Sequence, residues 1–537
     1  FHPSTQTAGK DHLLGNNHMS LLVILLLLLA TGLRFYQLDN QSFWNDEGNS
    51  ARLSERSLPL IIEGTASDVH PPLYYLFLRG WRELLGDSEF GLRSFSAFAG
   101  VLTVAATIAL ARSFFPSSRR STAPSIVVLA GLLAALNPTL VYYSQETRMY
   151  ALLALLSSLS TFTLLCWLNA GRRWPWALAY VLLSTAGLYT HYFYPSLFVL
   201  QGLIVLIWLL RKRVTVEYAP FQVTAVSHWY RVPLSWLVMI GISFILYLPW
   251  APIFLRQTTG RAAERAAIPG FLWDSVRWMT FGETINEQDL IWVTIIVILL
   301  LFWAVIASGR RIVLPFLGVS VPLAAMFLAG TTNPAFFKFM IIAVPFMMIW
   351  LAGSLGSFGP VHPSATVPLQ IAAGVLLVPV LGGMLLSLRN LYHEPAFARA
   401  DYRAMAETVA AAEDVDAAVI LNAPNQWEVF TYYHQEGAPV YPLPKGQPDP
   451  QILEPQLAII ADRHERLFVL YWGDEQRDPM QVVENWIDTN TFKASETWVG
   501  DVRFVTYATS GEMTRQQTPL DSNFGDKIVL HSFALTD

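Results

Sequence analysis

Leu21-Leu22-Val23-Ile24-Leu25-Leu26-Leu27-Leu28-Leu29-Ala30 is the apolar heart of a stretch at 19–37, and Phe43-Trp44-Asn45-Asp46-Glu47 follows it closely. The stretch has the roughly 20 residues that a bilayer crossing requires. Such a run also resembles the core of a signal peptide, but no small-residue cleavage site follows it, so it reads as a retained helix. The Asp46–Glu47 pair is then held at a membrane surface, just after the aromatics Phe43 and Trp44. Acids also favour the first turn of a helix, where the macrodipole stabilises them, so a plain helix start is the competing reading.

The rest of the composition agrees with a membrane protein. Of 537 residues, 53% are hydrophobic and 14% charged, too apolar for a soluble domain and typical of a polytopic chain. The net charge of −5 is segregated by region, and no basic nucleic-acid footprint is present. The single cysteine, Cys166, lies in an apolar run; this excludes an intrachain disulfide and a Cys-based metal cluster.

About eleven spans are expected, at 19–37, 92–113, 124–143, 149–169, 175–191, 194–210, 232–254, 289–308, 311–330, 337–353 and 369–389. Alternate short loops carry Arg112, Arg119 and Arg120; Arg172 and Arg173; Arg211, Lys212, Arg213 and Arg231; and Arg310 and Arg311. Basic short loops mark the cytoplasmic side. The N-terminus is therefore expected inside, and an odd span count puts both the Asp46–Glu47 loop and the C-terminal region outside. In the first outer loop, 38–91, two short apolar runs at 58–62 and 72–78 read as interfacial helices. The loop at 255–288 is outside by parity yet carries Arg256, Arg261, Arg265 and Arg277, which suits anion binding.

Three regions follow: a flexible segment at 1–18, a transmembrane domain at 19–390, and an extracytoplasmic soluble domain at 391–537. In the last, strands are expected at 417–421, 467–471, 502–506 and 528–530. Helices are expected from Asp401 onward, near 425–434 and near 479–489. Strands alternating with helices predict an α/β layer domain.

The candidate functional residues come from distant stretches but share the expected outer face: Asp46 and Glu47, His70, Glu146 and Arg148, His191 and Tyr192, Arg256, and Lys338. Ionisable groups at span ends away from the cytoplasm need a reason. Each has a structural alternative. His70 precedes two prolines and suits a helix entry. His191 and Tyr192 suit an aromatic belt. Arg148 and Lys338 could snorkel, although each is expected in the first turn of a helix, where the dipole disfavours a cation. Together they describe a cavity with a carboxylate base and cations able to hold a phosphate.

In order along the chain, Phe43-Trp44-Asn45-Asp46-Glu47, His70-Pro71-Pro72-Leu73-Tyr74-Tyr75, Gly91-Leu92-Arg93, Tyr143-Ser144-Gln145-Glu146-Thr147-Arg148-Met149-Tyr150, and Lys338 ahead of Pro345 resemble the C-type membrane glycosyltransferases. The resemblance lies in the protein O-mannosyltransferase branch that includes the lipid A aminoarabinose transferases, the glycosyltransferase family 39-like superfamily. It covers roughly 19–390. It implies a helical membrane fold and an inverting transfer of a hexose or pentose from a polyprenyl-phosphate donor to an acceptor protein, lipid or glycan. Asp46 would be the general base, with Glu47 beside it in positioning or metal binding. Arg148 and Lys338 would hold the donor phosphate, with His70, Tyr74, Glu146, Tyr150, His191, Tyr192 and Arg256 lining the substrate site. A divalent metal, with Glu47 and His70 as candidate ligands, is left open. The family often carries Arg where this chain has Lys338. Two rival readings stand beside it: a non-catalytic subunit or scaffold of a larger complex, which could share the fold, and a transporter or flippase of a lipid-linked sugar. A transporter predicts internal symmetry and polar mid-span residues, and the sequence shows neither.

Overall fold

The computed structural model describes the chain except residues 1–6, 117–122, 171–172, 213–230, 260–264, 357–362, 413–415, 510–517, 525–527 and 534–537. Arg119, Arg120, Arg172, Arg213 and Arg261 therefore lie outside the described residues. The chain forms two compact units. The first comprises Phe1–Leu38 and Arg56–Glu394; the second comprises Asp39–Glu55 and Pro395–Asp537. The Asp46–Glu47 stretch thus belongs with the C-terminal region rather than with the apolar helices that precede and follow it.

The first unit is helical. Its first helix runs Thr7–Phe35, so the segment expected to be flexible at 1–18 is helical from Thr7 onward. A nucleated helix extends at one hydrogen bond per added residue, which suffices here. All eleven stretches expected to span are helical. Among the described residues six helices are long and apolar enough to cross a membrane, or up to eight if each of two bent pairs is one span. Trp174–Leu188 and Ser196–Leu210 are shorter apolar helices. Glu287–Ala329 forms one apolar stretch of 43 residues, broken into Ile291–Ser308 and Val313–Ala329 by a turn at Gly309, whose φ is +53°.

Buried polar groups tie these helices together. Arg34, fully buried, donates to Ala30 O, Ala135 O (both 3.2 Å) and Ala134 O (3.3 Å). The last two are end-of-helix carbonyls that lack intrahelical partners. The first bent pair, Ala123–Leu136 and Pro138–Ser144, turns by 50° at Asn137-Pro138. Asn137 caps the second half by accepting from Leu140 N–H, and its amide donates to Met279 O at 2.9 Å. The second pair, Pro334–Ile342 and Val344–Leu355, bends by 68°. Its first half is a nine-residue 3-10 helix, longer than such helices usually run.

In the second unit five strands form one sheet in the order β2-β1-β3-β5-β4. They are β1 Ala417–Leu421, β2 Val440–Pro442, β3 Arg466–Tyr471, β4 Phe492–Val499 and β5 Val502–Ala508. β1 pairs in parallel with β2 and β3; β3–β5 and β5–β4 are antiparallel. β1 is buried along its whole length, as a central strand covered on both faces must be. Ile420, Leu457, Val469, Val483, Ile487 and Val505 share one core. The helix Tyr402–Ala410 is capped by Asp401, which accepts from Ala404 N–H at 3.1 Å. β4 and β5 join through Gly500, whose φ is +64°. Two further strands, Thr518–Phe524 and Ile528–Phe533, pair with each other. The fold is thus a polytopic helical body with a C-terminal α/β domain, as the sequence predicts.

Candidate active site

The first unit assembles a cluster of rings and cations from four segments. The helix Leu73–Leu85 begins after Pro71-Pro72, and His70 sits just ahead of it. Arg148 lies in the irregular turn before the helix Tyr150–Asn169, whose N-cap is Met149. It therefore precedes the first turn instead of lying within it, as expected from the sequence, but it is still at the electropositive end. Arg148 Nη2 is 2.9 Å from His70 Nε2, and its Nη1 donates to Tyr75 Oη at 3.4 Å. Arginine has only donors, so this contact requires a neutral His70 with its proton on Nδ1.

The rings of His70 and His191 stand 6.1 Å apart, and those of His191 and Tyr150 6.0 Å apart. His191 Nδ1 accepts from Phe193 N–H at 3.1 Å, so a neutral His191 carries its proton on Nε2. Lys338 Nζ lies 5.6 Å from the centre of the Tyr150 ring, within cation–π range. It stands mid-way along the 3-10 helix, not in a first helical turn as expected. The physical reason is that Pro334, capped by Asn333, starts the helix four residues earlier. Arg148, Tyr150 and His191 are buried, while His70 and Lys338 are half-buried.

Other expected site residues take different places. Tyr74 is buried and its hydroxyl meets Ser96 Oγ at 3.3 Å; Ser96 in turn donates to Arg148 O at 3.2 Å. Tyr74 thus supports the backbone under Arg148, and Tyr75 is the neighbour that reaches the guanidinium. Glu146 is buried in the same turn as Arg148. Tyr192 and Arg256 belong to a second set of contacts. Tyr192 Oη bonds Gln257 Oε1 and accepts from Trp250 Nε1 at 3.0 Å. Arg256, exposed, donates to Ala66 O at 2.6 Å. Arg265 donates to Phe327 O and Leu328 O, and Arg277 pairs with Glu287 at 2.8 Å. These arginines of the 255–288 stretch have protein acceptors. Glu283, which the sequence reading passed over, accepts from Tyr143 Oη and Trp278 Nε1, both at 2.9 Å. Tyr143 stacks edge-on against Tyr150, 5.2 Å between ring centres. In sequence Glu283 shares the 255–288 loop with Glu264, Asp274 and Glu287, and no local pattern sets it apart.

In the second unit Asp46 and Glu47 occupy the first turn of the helix Asn45–Ser54. Asp46 is half-buried. Glu47 is fully buried and ion-paired with Arg399 at 3.0 Å. The helix-start reading of these acids is thus correct as a location, and the macrodipole favours both charges there.

A metal fits this donor set poorly. Among the described residues no group of three or more His, Cys, Asp or Glu side chains could hold one. Of the two candidate ligands, Glu47 faces a guanidinium, and the Nε2 lone pair of His70 is taken by another.

Residues 69–236 match the model of the dolichyl-phosphate-mannose-protein mannosyltransferase family. No curated protein matches the chain by sequence. Among solved structures it is similar to ArnT from Cupriavidus metallidurans in the apo state, with 14% identity and a TM-score of 0.55 over 90% of this chain and 97% of that one. The same enzyme bound to undecaprenyl phosphate gives a TM-score of 0.52 at 14% identity, with the same coverage. The apo oligosaccharyltransferase of Archaeoglobus fulgidus gives 0.50 at 11% identity, over 92% of this chain and 74% of that one.

Proposed function

We propose that this chain, which shares its fold with ArnT and matches the mannosyltransferase family model over residues 69–236, is an integral membrane glycosyltransferase. It takes a sugar from a polyprenyl-phosphate donor and passes it to an acceptor on the extracytoplasmic face. One observation carries this reading: Arg148 and Lys338, from distant segments, flank a single ring cluster of His70, His191 and Tyr150. A snorkelling arginine sends its head to water. Arg148 is 2% exposed, so its head does not reach bulk water. A lipid phosphate at this helix start would gain from the exposed N–H groups and the dipole as well as from the side chains.

In the proposed reaction Asp46 accepts the proton of the acceptor nucleophile as it attacks the anomeric carbon. The bond from that carbon to the phosphate oxygen breaks, and the lipid phosphate leaves with the electron pair. A single displacement from the opposite face inverts configuration, by the stereochemical logic of inverting glycosidases. The leaving group is already an anion, so Arg148 and Lys338 need only stabilise its growing charge. ArnT was solved bound to undecaprenyl phosphate, which makes that lipid the probe of choice.

The test is undecaprenyl phosphate binding to the parent and two variants. Arg148→Ala should weaken binding by about 1.5–3 kcal/mol, the range for a hydrogen bond to a charged group. Arg148→Lys should restore only part of it, because a point charge replaces a planar fork. Equal affinities in all three would remove Arg148 from the phosphate site. A scaffold without a donor site predicts no measurable binding in any of them.

A further inference from the structure

We propose that Arg399, in the C-terminal unit, is a positioning residue for transfer: it fixes the helix that carries Asp46 by locking the neighbouring Glu47. The inference rests on the reading of Asp46 as the base.

Asn45–Ser54 is a ten-residue helix with three polar residues at its start and no side-chain hydrogen bond from its N-cap, Trp44. A helix this short is marginal alone in water. What holds it comes from the C-terminal part of the chain. Arg399 Nη1 meets Glu47 Oε2 at 3.0 Å, and its guanidinium lies 5.7 Å from the centre of the Trp44 ring. Arg399 N–H donates to Gln41 Oε1 at 3.1 Å. Ser42 Oγ donates to Ala400 O at 3.1 Å and accepts from Tyr402 N–H at 3.0 Å. Phe43 N–H donates to Tyr433 Oη at 2.7 Å. One arginine therefore binds the residues before the helix, its N-cap and its first turn.

Arg399 is itself held. A Cβ at Gly500 would lie 2.6 Å from Ala400 N and 3.0 Å from the Arg399 carbonyl carbon. The β4–β5 turn therefore packs directly on the 399–400 backbone. The sheet of the C-terminal domain thus sets where Arg399 stands, and Arg399 sets where Glu47 stands. Asp46 is the next residue, one peptide bond away. Removing one member of a buried ion pair is strongly destabilising, and loss of the guanidinium also removes its contact with the N-cap Trp44, so the loss of Arg399 loosens the helix start. A displacement of roughly 1 Å at a reacting group can cost about 10²-fold in rate. The C-terminal domain is by this account a part of the catalytic apparatus and not an appendage.

The test uses the full-length protein in lipid nanodiscs, with Arg399→Met, Arg399→Lys and Asp46→Asn beside the parent. Three quantities are measured: hydrogen exchange of residues 39–55, affinity for undecaprenyl phosphate, and release of that lipid from a panel of its hexose and pentose esters with membrane extract as acceptor. Arg399→Met should speed exchange in 39–55 by about tenfold or more and lower turnover by roughly 10- to 100-fold, with lipid affinity unchanged. Arg399→Lys should recover part of both losses, since it keeps the charge without the fork. A merely destabilised protein would lose lipid affinity as well. Unchanged protection of 39–55 in Arg399→Met, or parent-level turnover despite a loosened segment, would overturn the proposal. If Arg399→Met does not fold, Arg399→Lys decides: parent-level exchange and turnover together would overturn it. Parent-level turnover in Asp46→Asn would instead sink the assignment of the base, while the exchange data still report whether Arg399 holds the helix.

Discussion

Asp46 and Glu47 are adjacent acids with different surroundings. Glu47 is buried against Arg399, whereas Asp46 keeps a half-exposed carboxylate. A base must reach its proton, so the accessible member is the one suited to that task. Asp46→Asn keeps the size and removes the basicity. We expect turnover to fall by about 10²–10⁴-fold, the usual range for a general base, with undecaprenyl phosphate affinity unchanged. Near-parent turnover would move the role to another group. At this scale the sequence revealed which stretches matter better than which atoms meet. Arg148, His70, His191 and Lys338 were legible as ionisable groups at span ends, and Tyr150 as part of the motif that carries the resemblance. That Tyr75 and not Tyr74 reaches Arg148 was not, because adjacent positions on a helix point about 100° apart and the choice of face is made by packing.

Between elements, the tightest constraint in the second unit is Gly48. A Cβ there would stand 2.4 Å from Val429 Cα and Cβ and 2.7 Å from Val429 N. The helices Asn45–Ser54 and Trp427–Tyr433 thus pack almost backbone to backbone. Gly48→Ala must push them apart, at a cost of about 1–3 kcal/mol for overpacking. Accelerated hydrogen exchange in the amides of Asn45–Ser54, with the sheet strands unaffected, is the expected signature; unchanged exchange would show that the contact is soft. No local signal announces this pairing, since the partners are far apart in sequence and glycine in a helix ordinarily reads as a weakness. The same limit explains the elements missed in the α/β domain. β2 is three residues long, the helix Pro450–Arg463 contains Pro455, and β4 is an edge strand with mostly exposed side chains. The two strands lack the apolar pattern that revealed β1, β3 and β5, whereas the helix carries Leu453, Leu457 and Ile460 at helical spacing and is masked by its internal proline.

For the molecule as a whole, the discontinuous second unit constrains the topology. Asp39–Glu55 and Pro395–Asp537 fold as one compact body, so both pieces must lie on one side of the membrane. The chain between them then crosses an even number of times. Among the described residues from Arg56 to Glu394, the apolar helices and bent pairs number seven, which is odd. Glu287–Ala329 resolves the mismatch. As one rod its 43 residues would reach about 65 Å, roughly twice a bilayer core, and the break at Gly309 divides it into two. With each bent pair counted as one span, the described residues then offer eight crossings, or ten with the two shorter helices; both are even. The parity holds without the loop charges that first suggested the orientation, several of which lie outside the described residues. It predicts that Arg310, at the break, faces the side opposite the second unit. Single cysteines can test this in a Cys166→Ala background, at Asn40, Glu436 and Arg310, all exposed. A membrane-impermeant maleimide should label Asn40→Cys and Glu436→Cys in intact cells, and Arg310→Cys only after permeabilisation. Asn40→Cys and Glu436→Cys on opposite faces would break the single body. Labelling of all three from outside would mean that Glu287–Ala329 does not divide into two crossings.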